Sequence, residues 1–325
     1  MTSNDEQVTS NEDRRLAAKR KLEARLAAER DRKRRSRNIV ISIVSVIALA
    51  TALTIVWVTQ NFLGTVTCEW GKAQDTLADT VKNRANIVGQ QPPERRAEAN
   101  KYLDELAAAL PKERTAPQPT SNVPLPFPGS SERFIKTGSW FASAQRPLTL
   151  ETNRGNLPIT LDSTSAPCNT AAIESLAKNG YYNGVDCHRL TNSENLKVLQ
   201  CGDPTGTLLG SPGWTSPDEP PTDLKKAPGS QDSMMGAGPV IYPRGTVAIA
   251  NSNRPMMGRA NTGGAQFFIV YADSQLSPDF AIVGHLDEGG FKVLDQIAKT
   301  PVEKGQGGNE DKPKDPITIK NAAVG

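Results

Sequence analysis

Apolar residues follow three different patterns along this chain, and each predicts a different kind of element. From Ile39 to Val58, twenty consecutive residues contain no charge, glycine or proline. As a helix such a run is about 30 Å long, the thickness of a bilayer's hydrocarbon core. A buried helix of a soluble domain would carry a polar stripe, and this one has none. Ser42, Ser45, Thr51 and Thr54 are tolerable in lipid because a helical hydroxyl bonds back to a carbonyl of its own helix. Upstream, residues 12–37 are rich in Ala, Leu, Lys, Arg and Glu, with Leu16, Leu22 and Leu26 near one face. That pattern predicts a charged helix entering the apolar one, after a polar, disordered start over residues 1–12.

Downstream the helical period weakens. Leu77, Val81 and Ile87 mark one segment, Gln90-Gln91-Pro92-Pro93 breaks it, and Tyr102, Leu103, Leu106 and Leu110 mark another. Prolines at 111, 117, 119, 124, 126 and 128 then predict a semi-extended connection. Residues 59–110 read as a helical stalk and 111–135 as a Pro-rich linker. From Trp140 the period drops to two. Leu148–Thr152 and Leu157–Leu161 flank Asn153-Arg154-Gly155-Asn156, a hairpin signal. Residues 168–179 read as a helix after Pro167, stopped by Gly180. Strands are predicted at 185–190, 196–200, 246–251, 266–271, 281–286 and 317–320, with a helix at 290–299. Many short strands with two helices predict a mainly β domain over 136–325, a closed antiparallel barrel capped by two helices. Its size suits a single core.

Charge adds a direction. Residues 1–38 carry 12 Lys/Arg against 7 Asp/Glu, whereas the rest of the chain is slightly acidic. Arg32-Lys33-Arg34-Arg35-Ser36-Arg37 abuts the apolar run, and Thr59 to Thr67 beyond it holds no basic residue. The positive-inside rule therefore puts residues 1–38 in the cytoplasm, 39–58 in membrane lipid and everything later outside, a single-pass type II arrangement. The 38 preceding residues are too long for the n-region of a signal peptide. The near-neutral main domain gives no reason to expect nucleic acid as a partner.

Cys68, Cys168, Cys187 and Cys201 then all lie in an oxidising compartment, and three pairings are open to them. One bridge inside the domain with a thiol left over is the expectation. With no C-x-x-C and only His188 and His285, a zinc site is not expected.

The chemistry lies in four segments. They are Cys187-His188-Arg189-Leu190, Gln200-Cys201-Gly202-Asp203, Gly245 to Asn251, and Asn261-Thr262-Gly263-Gly264-Ala265-Gln266-Phe267-Phe268-Ile269. In this order and near this spacing they resemble the cyclophilins, β-barrel peptidyl-prolyl cis/trans isomerases, in a membrane-anchored bacterial form of actinobacterial type. The resemblance covers roughly residues 140–325. It implies Arg189, Gln200 and Phe268 as catalytic residues, with Arg189 donating to the proline nitrogen and Gln200 buttressing the substrate backbone. It implies Ala250, Asn251 and Gln266 along the substrate groove and Val198, Leu276 and Phe280 at the proline socket; His188 is placed with these substrate-binding residues, as a structural neighbour of the site and not a base. Strand alternation separately puts Gln266 and Phe268 on one face and Phe267 on the other, toward the core.

Such a reaction needs no cofactor and no metal. Rotation about X-Pro is slow because the amide has partial double-bond character, a barrier of about 18–20 kcal/mol. At the perpendicular geometry the nitrogen gains a lone pair, and a fixed, always-charged guanidinium is a suitable donor to it. The implied partners are proline-containing polypeptides outside the membrane, and the implied role is assistance to folding. A non-catalytic module that holds proline segments on the same fold is the alternative. Three departures border the groove: a longer stretch between Arg189 and Gln200 with Leu196 or Lys197 where the family has Phe, an insert over 253–260, and Leu208-Leu209-Gly210-Ser211 in the glycine-rich loop. Phe280 stands where the family places His or Tyr. Gln275 precedes Leu276 where cyclosporin-sensitive relatives have Trp, so weak cyclosporin binding is expected.

Overall fold

The computed structural model describes residues 3–62, 65–74, 76–124, 145–233, 236–253, 258–303 and 311–325. The chain divides into two compact units, Met1–Asn61 and Phe62–Gly325. The first is one unbroken helix, α1, Ser3–Phe62. It begins at Ser3, not after residue 12. Ala28–Ile55 has the length and composition to cross a membrane, as an anchor or a signal sequence does. Thr51 Oγ1 donates back to the Ile47 carbonyl at 2.9 Å, and Thr54 Oγ1 to that of Ala50. These two threonine hydroxyls are thus satisfied within the helix.

The second unit is mainly β. Nine strands form one antiparallel sheet: β1 Gln145–Thr152, β2 Gly155–Asp162, β3 Val185–Asp186, β4 Arg189–Leu190, β5 Val198–Cys201, β6 Thr246–Ile249, β7 Phe267–Val270, β8 Ile282–Leu286 and β9 Thr318–Val324. Their order across the sheet is β3-β9-β1-β2-β8-β6-β7-β5-β4. The two edge strands are the halves of the single run 185–190 that the sequence predicts as one strand. The chain changes partner at Cys187-His188: Val185 and Asp186 pair with β9, whereas Arg189 and Leu190 pair with β5. No ladder joins β3 to β4, so the expected closed barrel is a curled sheet whose edges are consecutive in the chain. One short run serves both edges, and among the described residues no further strand pairs across the seam.

Side chains alternate across this sheet as β geometry requires. Leu148, Leu150, Leu157, Ile159, Val247, Phe267 and Ile269 point into one continuous core. Two helices pack on the sheet, α5 Pro167–Lys178 and α6 Phe291–Ile297, numbered after three short helices described next. Pro167 starts α5 at a position that needs no N–H, and Gly180 ends its region at φ +68°.

Residues 65–124 are folded onto this domain, where the sequence suggests a stalk and a linker. Helices α2 Thr76–Lys82, α3 Arg84–Gly89 and α4 Arg96–Ala109 bury Leu77, Leu103, Leu106 and Ala109 in a small core of their own, joined by Leu209 of the domain. Gly71 and Lys72 pair with Thr215 and Trp214 as a short ladder, and Trp70 meets Trp214 edge-on at 5.3 Å. The proline-rich stretch is held as well. Arg114 donates to the carbonyls of Tyr181 and Asn183 at 2.9 and 2.7 Å, and Ala116 accepts from Trp214 Nε1 at 3.0 Å. Extended proline-containing chain lacks internal hydrogen bonds, so its backbone groups are free to bond a neighbouring surface. The rest of the expected linker, 125–135, lies outside the described residues.

All four cysteines are bridged, Cys68 to Cys168 and Cys187 to Cys201. The expected leftover thiol does not exist, because the segment carrying Cys68 lies on the domain and reaches α5.

Candidate active site

Arg189 stands directly opposite Gln200 in the β4–β5 ladder. Its Nη1 donates to Gln200 Oε1 at 3.2 Å. Gln200 in turn uses Nε2 to donate to Gln266 Oε1 at 3.1 Å, and Gln266 Nε2 donates to the carbonyls of Leu208 and Gly210 at 3.0 and 3.1 Å. The relay ends on a rigid loop. Asp203 accepts from the backbone N–H of Thr205, Thr207 and Gly210 and from the Thr205 hydroxyl, closing residues 203–210 around one carboxylate. A Cβ at Gly210 would collide with that carboxylate, so only glycine fits there. Leu208 sits at φ +68°, a left-handed conformation that turns the loop and its carbonyls toward Gln266.

This chain of amides fixes the guanidinium. Each amide uses its oxygen to accept and its nitrogen to donate, so every member has one orientation only. The cation is half-buried and permanently charged.

Beside it lies an aromatic socket. Phe268 pairs across the sheet with Gln200 on one side and Ala248 on the other, and it leaves the main core for a second cluster with Val198, Val240, Tyr242, Ala248 and Val270. Phe267 stays in the main core, as the alternation predicts. Phe268 and Phe280 meet edge-to-face at 5.4 Å, and Leu276 and Leu196 pack against the same cluster. Tyr242 forms the socket's floor. Its ring lies 6.3 Å from both phenyl rings, and its hydroxyl accepts from Phe280 N and lies 3.2 Å from the carbonyls of Ser277 and Phe280. Burial raises its pKa and keeps the phenol protonated. Asn251 Nδ2 donates to the Asp279 carbonyl at 2.8 Å and so ties the end of β6 to the loop that carries Phe280.

One groove of about 1050 Å³ connects these groups. Arg189, Gln200, Gln266, Phe268, Val198, Ala250, Asn251, Leu276 and Phe280 all line it, so nine of the ten residues singled out in the sequence come together. His188 does not. Arg189 opens β4 on the groove side, whereas His188 precedes that strand, where the chain changes partner, and borders a separate cavity of about 940 Å³ along with α4 and Lys312. Its ring nitrogens have no hydrogen-bond partner among the described residues. Burial, opposed by Asp203 and helped by Arg189 and Lys312, lowers its pKa to about 4. His188 is therefore a neutral imidazole behind the site and not part of the groove.

Sequence reasoning missed three contributors. Tyr242 lies in a strand, Val240–Tyr242, too short to give a period. Leu208 and Leu209 line the groove from a loop known only as a departure from the family pattern. Gly71 to Gln74 and Thr76 also line it, from a segment expected to lie away from the domain.

A family model described as cyclophilin type peptidyl-prolyl cis-trans isomerase matches residues 147–324, more than half of the chain. The chain belongs to the cyclophilin family. The match contains all nine groove residues named above and ends well short of the 71–76 segment. The chain is 41% identical over 181 residues to a probable peptidyl-prolyl cis-trans isomerase B of Mycobacterium tuberculosis, covering 56% of this chain and 55% of that one. It is 36% identical over 213 residues to the protein of the same name from Mycobacterium leprae, covering 63% and 68%. The chain thus spans about half the length of the first of these cyclophilin relatives. A crystal structure of a Cryptosporidium parvum cyclophilin type isomerase, in the presence of the dipeptide Ala-Pro, is 25% identical and covers 55% of this chain and 98% of that one, with a TM-score of 0.41.

Proposed function

We propose that the protein is a membrane-anchored peptidyl-prolyl cis-trans isomerase that turns X-Pro bonds of extracytoplasmic polypeptides and assists their folding. One observation carries this reading: a guanidinium fixed by the Gln200–Gln266 relay beside an apolar socket sized for a small ring. A proline seated on Phe268, Leu276 and Phe280 presents its nitrogen toward Arg189, which stabilises the lone pair that appears when the amide twists. Preorganisation is the source of the rate gain, because the donor does not reorganise as charge develops. The rest of the groove, through Gln200, Ala250 and Asn251, holds the flanking backbone. No metal or cofactor enters this mechanism.

Residues 39–58 serve as the anchor, which the candidate span Ala28–Ile55 overlaps, and the arginine cluster before Ile39 supports a cytoplasmic N-terminus. Two disulfides in the second unit suit an oxidising exterior. The shared 185–190 run supports reading the sheet as a barrel pinned shut by covalent continuity instead of by a ladder.

The test is a proline-isomer assay on the full chain in detergent, with several residues before proline. A fragment starting at 135 would lose the Cys68–Cys168 bridge and the 71–72 ladder. Catalysed exchange for at least one peptide is expected. Uncatalysed rates for every peptide, in a folded sample that still binds them, would establish a binding module instead. Protease added to intact cells should remove the domain. Its protection would reverse the topology.

A further inference from the structure

The groove has a wall that the family match does not include. Gly71, Lys72, Ala73, Gln74 and Thr76 line it, and they are not a loose tail. Cys68 anchors the segment to α5, the Gly71–Lys72 ladder fixes its course along Trp214 and Thr215, and Ala73 N donates to the Gly213 carbonyl at 3.3 Å. A Cβ at Gly71 would meet Thr215 Oγ1, so glycine lets the two short strands sit close there without turning that side chain. At this wall the groove presents Lys72, exposed, and at its 258–262 margin Arg259, also exposed. With Arg189 these make three cations, and no carboxylate lines the groove among the described residues.

We infer that Lys72 and Arg259 form an accessory subsite for an acidic side chain, so that the groove selects proline-containing segments carrying Asp or Glu near the proline. The inference rests on the isomerase reading for the identity of the groove and adds a substrate class to it. A concave surface lined by one sign of charge concentrates ligands of the other, more strongly than isolated surface charges do. Arg189 is committed to Gln200 and to the reacting nitrogen. Lys72 and Arg259 lie on side chains long enough to reach a flanking carboxylate, and neither forms an ion pair among the described residues. Both are solvated, so the preference is modest and sensitive to salt.

The experiment uses the full chain in detergent and fluorescein-labelled peptides with a central Ala-Pro, flanked on either side by Glu, by Lys or by Ala. Binding is read by anisotropy and turnover by isomer exchange on the same peptides. The Glu series should bind about threefold or more tighter than the Lys series at about 50 mM salt, and the gap should close toward about 500 mM. Lys72→Glu or Arg259→Glu should narrow or invert the Glu-to-Lys ratio, and Lys72→Arg should keep it. Equal binding of the two series at low salt overturns the inference, as does a ratio unmoved by both charge reversals. Acid-selective binding without turnover would sink the isomerase reading alone. Turnover without charge selectivity would sink only this one.

Discussion

Gln266 holds Gln200, its Oε1 accepting from Gln200 Nε2 at 3.1 Å, and through that bond it orients Arg189 from the far side of the groove. The consequence is that the guanidinium's direction depends on Gln200, which Gln266 itself holds in place. Arg189→Ala should lower the isomerisation rate at least tenfold, about 1.4 kcal/mol of transition-state stabilisation, with an unchanged circular-dichroism spectrum. Gln266→Leu should give a smaller loss, because Arg189 keeps its charge and loses only its fixed aim. Equal rates for wild type and Arg189→Ala would remove the arginine from the mechanism.

That relay was legible in the sequence only as a set of residues. Period-two alternation correctly separated Phe268 from Phe267, because each stands on a strand flanked by partners on both sides. The motif segments placed Arg189, Gln200 and Gln266 together. Nothing in the sequence could reveal that Gln266 is held by two loop carbonyls, since a backbone acceptor has no residue identity. The strand 185–190 was visible but its change of partner was not, because pairing is decided by β9 and β5, far along the chain. His188 was misplaced for a local reason: the chain changes strand partner at Cys187-His188, so adjacency to Arg189 in sequence does not bring its ring to the groove. The 59–110 segment misled most. Its weak helical periods reflect three short helices that bury only a narrow stripe, and the residue that decides its position, Cys68, pairs with a partner 100 residues away.

His188 predicts a pH dependence of stability. Its pKa is about 4 in the folded protein and about 6.5 in an unfolded chain, so the folded state depresses it. Between these values the unfolded state binds more protons, and stability therefore rises with pH across this window and is lost on acidification. The full effect is roughly 3 kcal/mol. Carboxylates contribute their own slope, so the informative quantity is a difference: urea midpoints from pH 4 to 7 for wild type and His188→Gln. The variant should show a shallower decline. Parallel curves would mean that His188 takes up its proton as readily folded as unfolded.

The Cys68–Cys168 bridge closes a loop of 100 residues. In the chain-entropy account such a closure stabilises by about 4–5 kcal/mol. A Cys68→Ser, Cys168→Ser double variant, which leaves no thiol to mispair, should melt roughly 5–15 °C below wild type. It should also raise KM for peptides more than it lowers kcat, because the bridge fixes the 71–76 wall and not the Arg189 relay. An unchanged melting temperature would show that Trp70, the 71–72 ladder and the α2–α4 core hold the segment without help.

The last prediction concerns cyclosporin. By resemblance, sensitive relatives carry a tryptophan immediately before the socket leucine, whose indole N–H donates to the drug and whose ring adds aromatic area. Here Gln275 occupies that place. It is partly exposed, its backbone N donates to the Asn195 carbonyl at 2.8 Å, and it pairs with Ile241, so its position is fixed while its side chain is free to sample rotamers. A glutamine amide can still donate, but it must lose more conformational freedom on binding and covers less apolar surface. Loss of one aromatic anchor costs about 1–3 kcal/mol, roughly ten- to a hundredfold in affinity. Weak inhibition by cyclosporin is therefore expected beside ordinary isomerase activity, and Gln275→Trp should tighten it. The insert over 253–260 also borders the groove: Gly258 and Arg259 line it, while 254–257 lie outside the described residues. Obstruction by that insert would blunt the gain, which a second variant carrying Gln275→Trp with the insert shortened would recover. Tight inhibition of the wild-type chain, at the level of sensitive relatives, would show that residue 275 does not control drug binding.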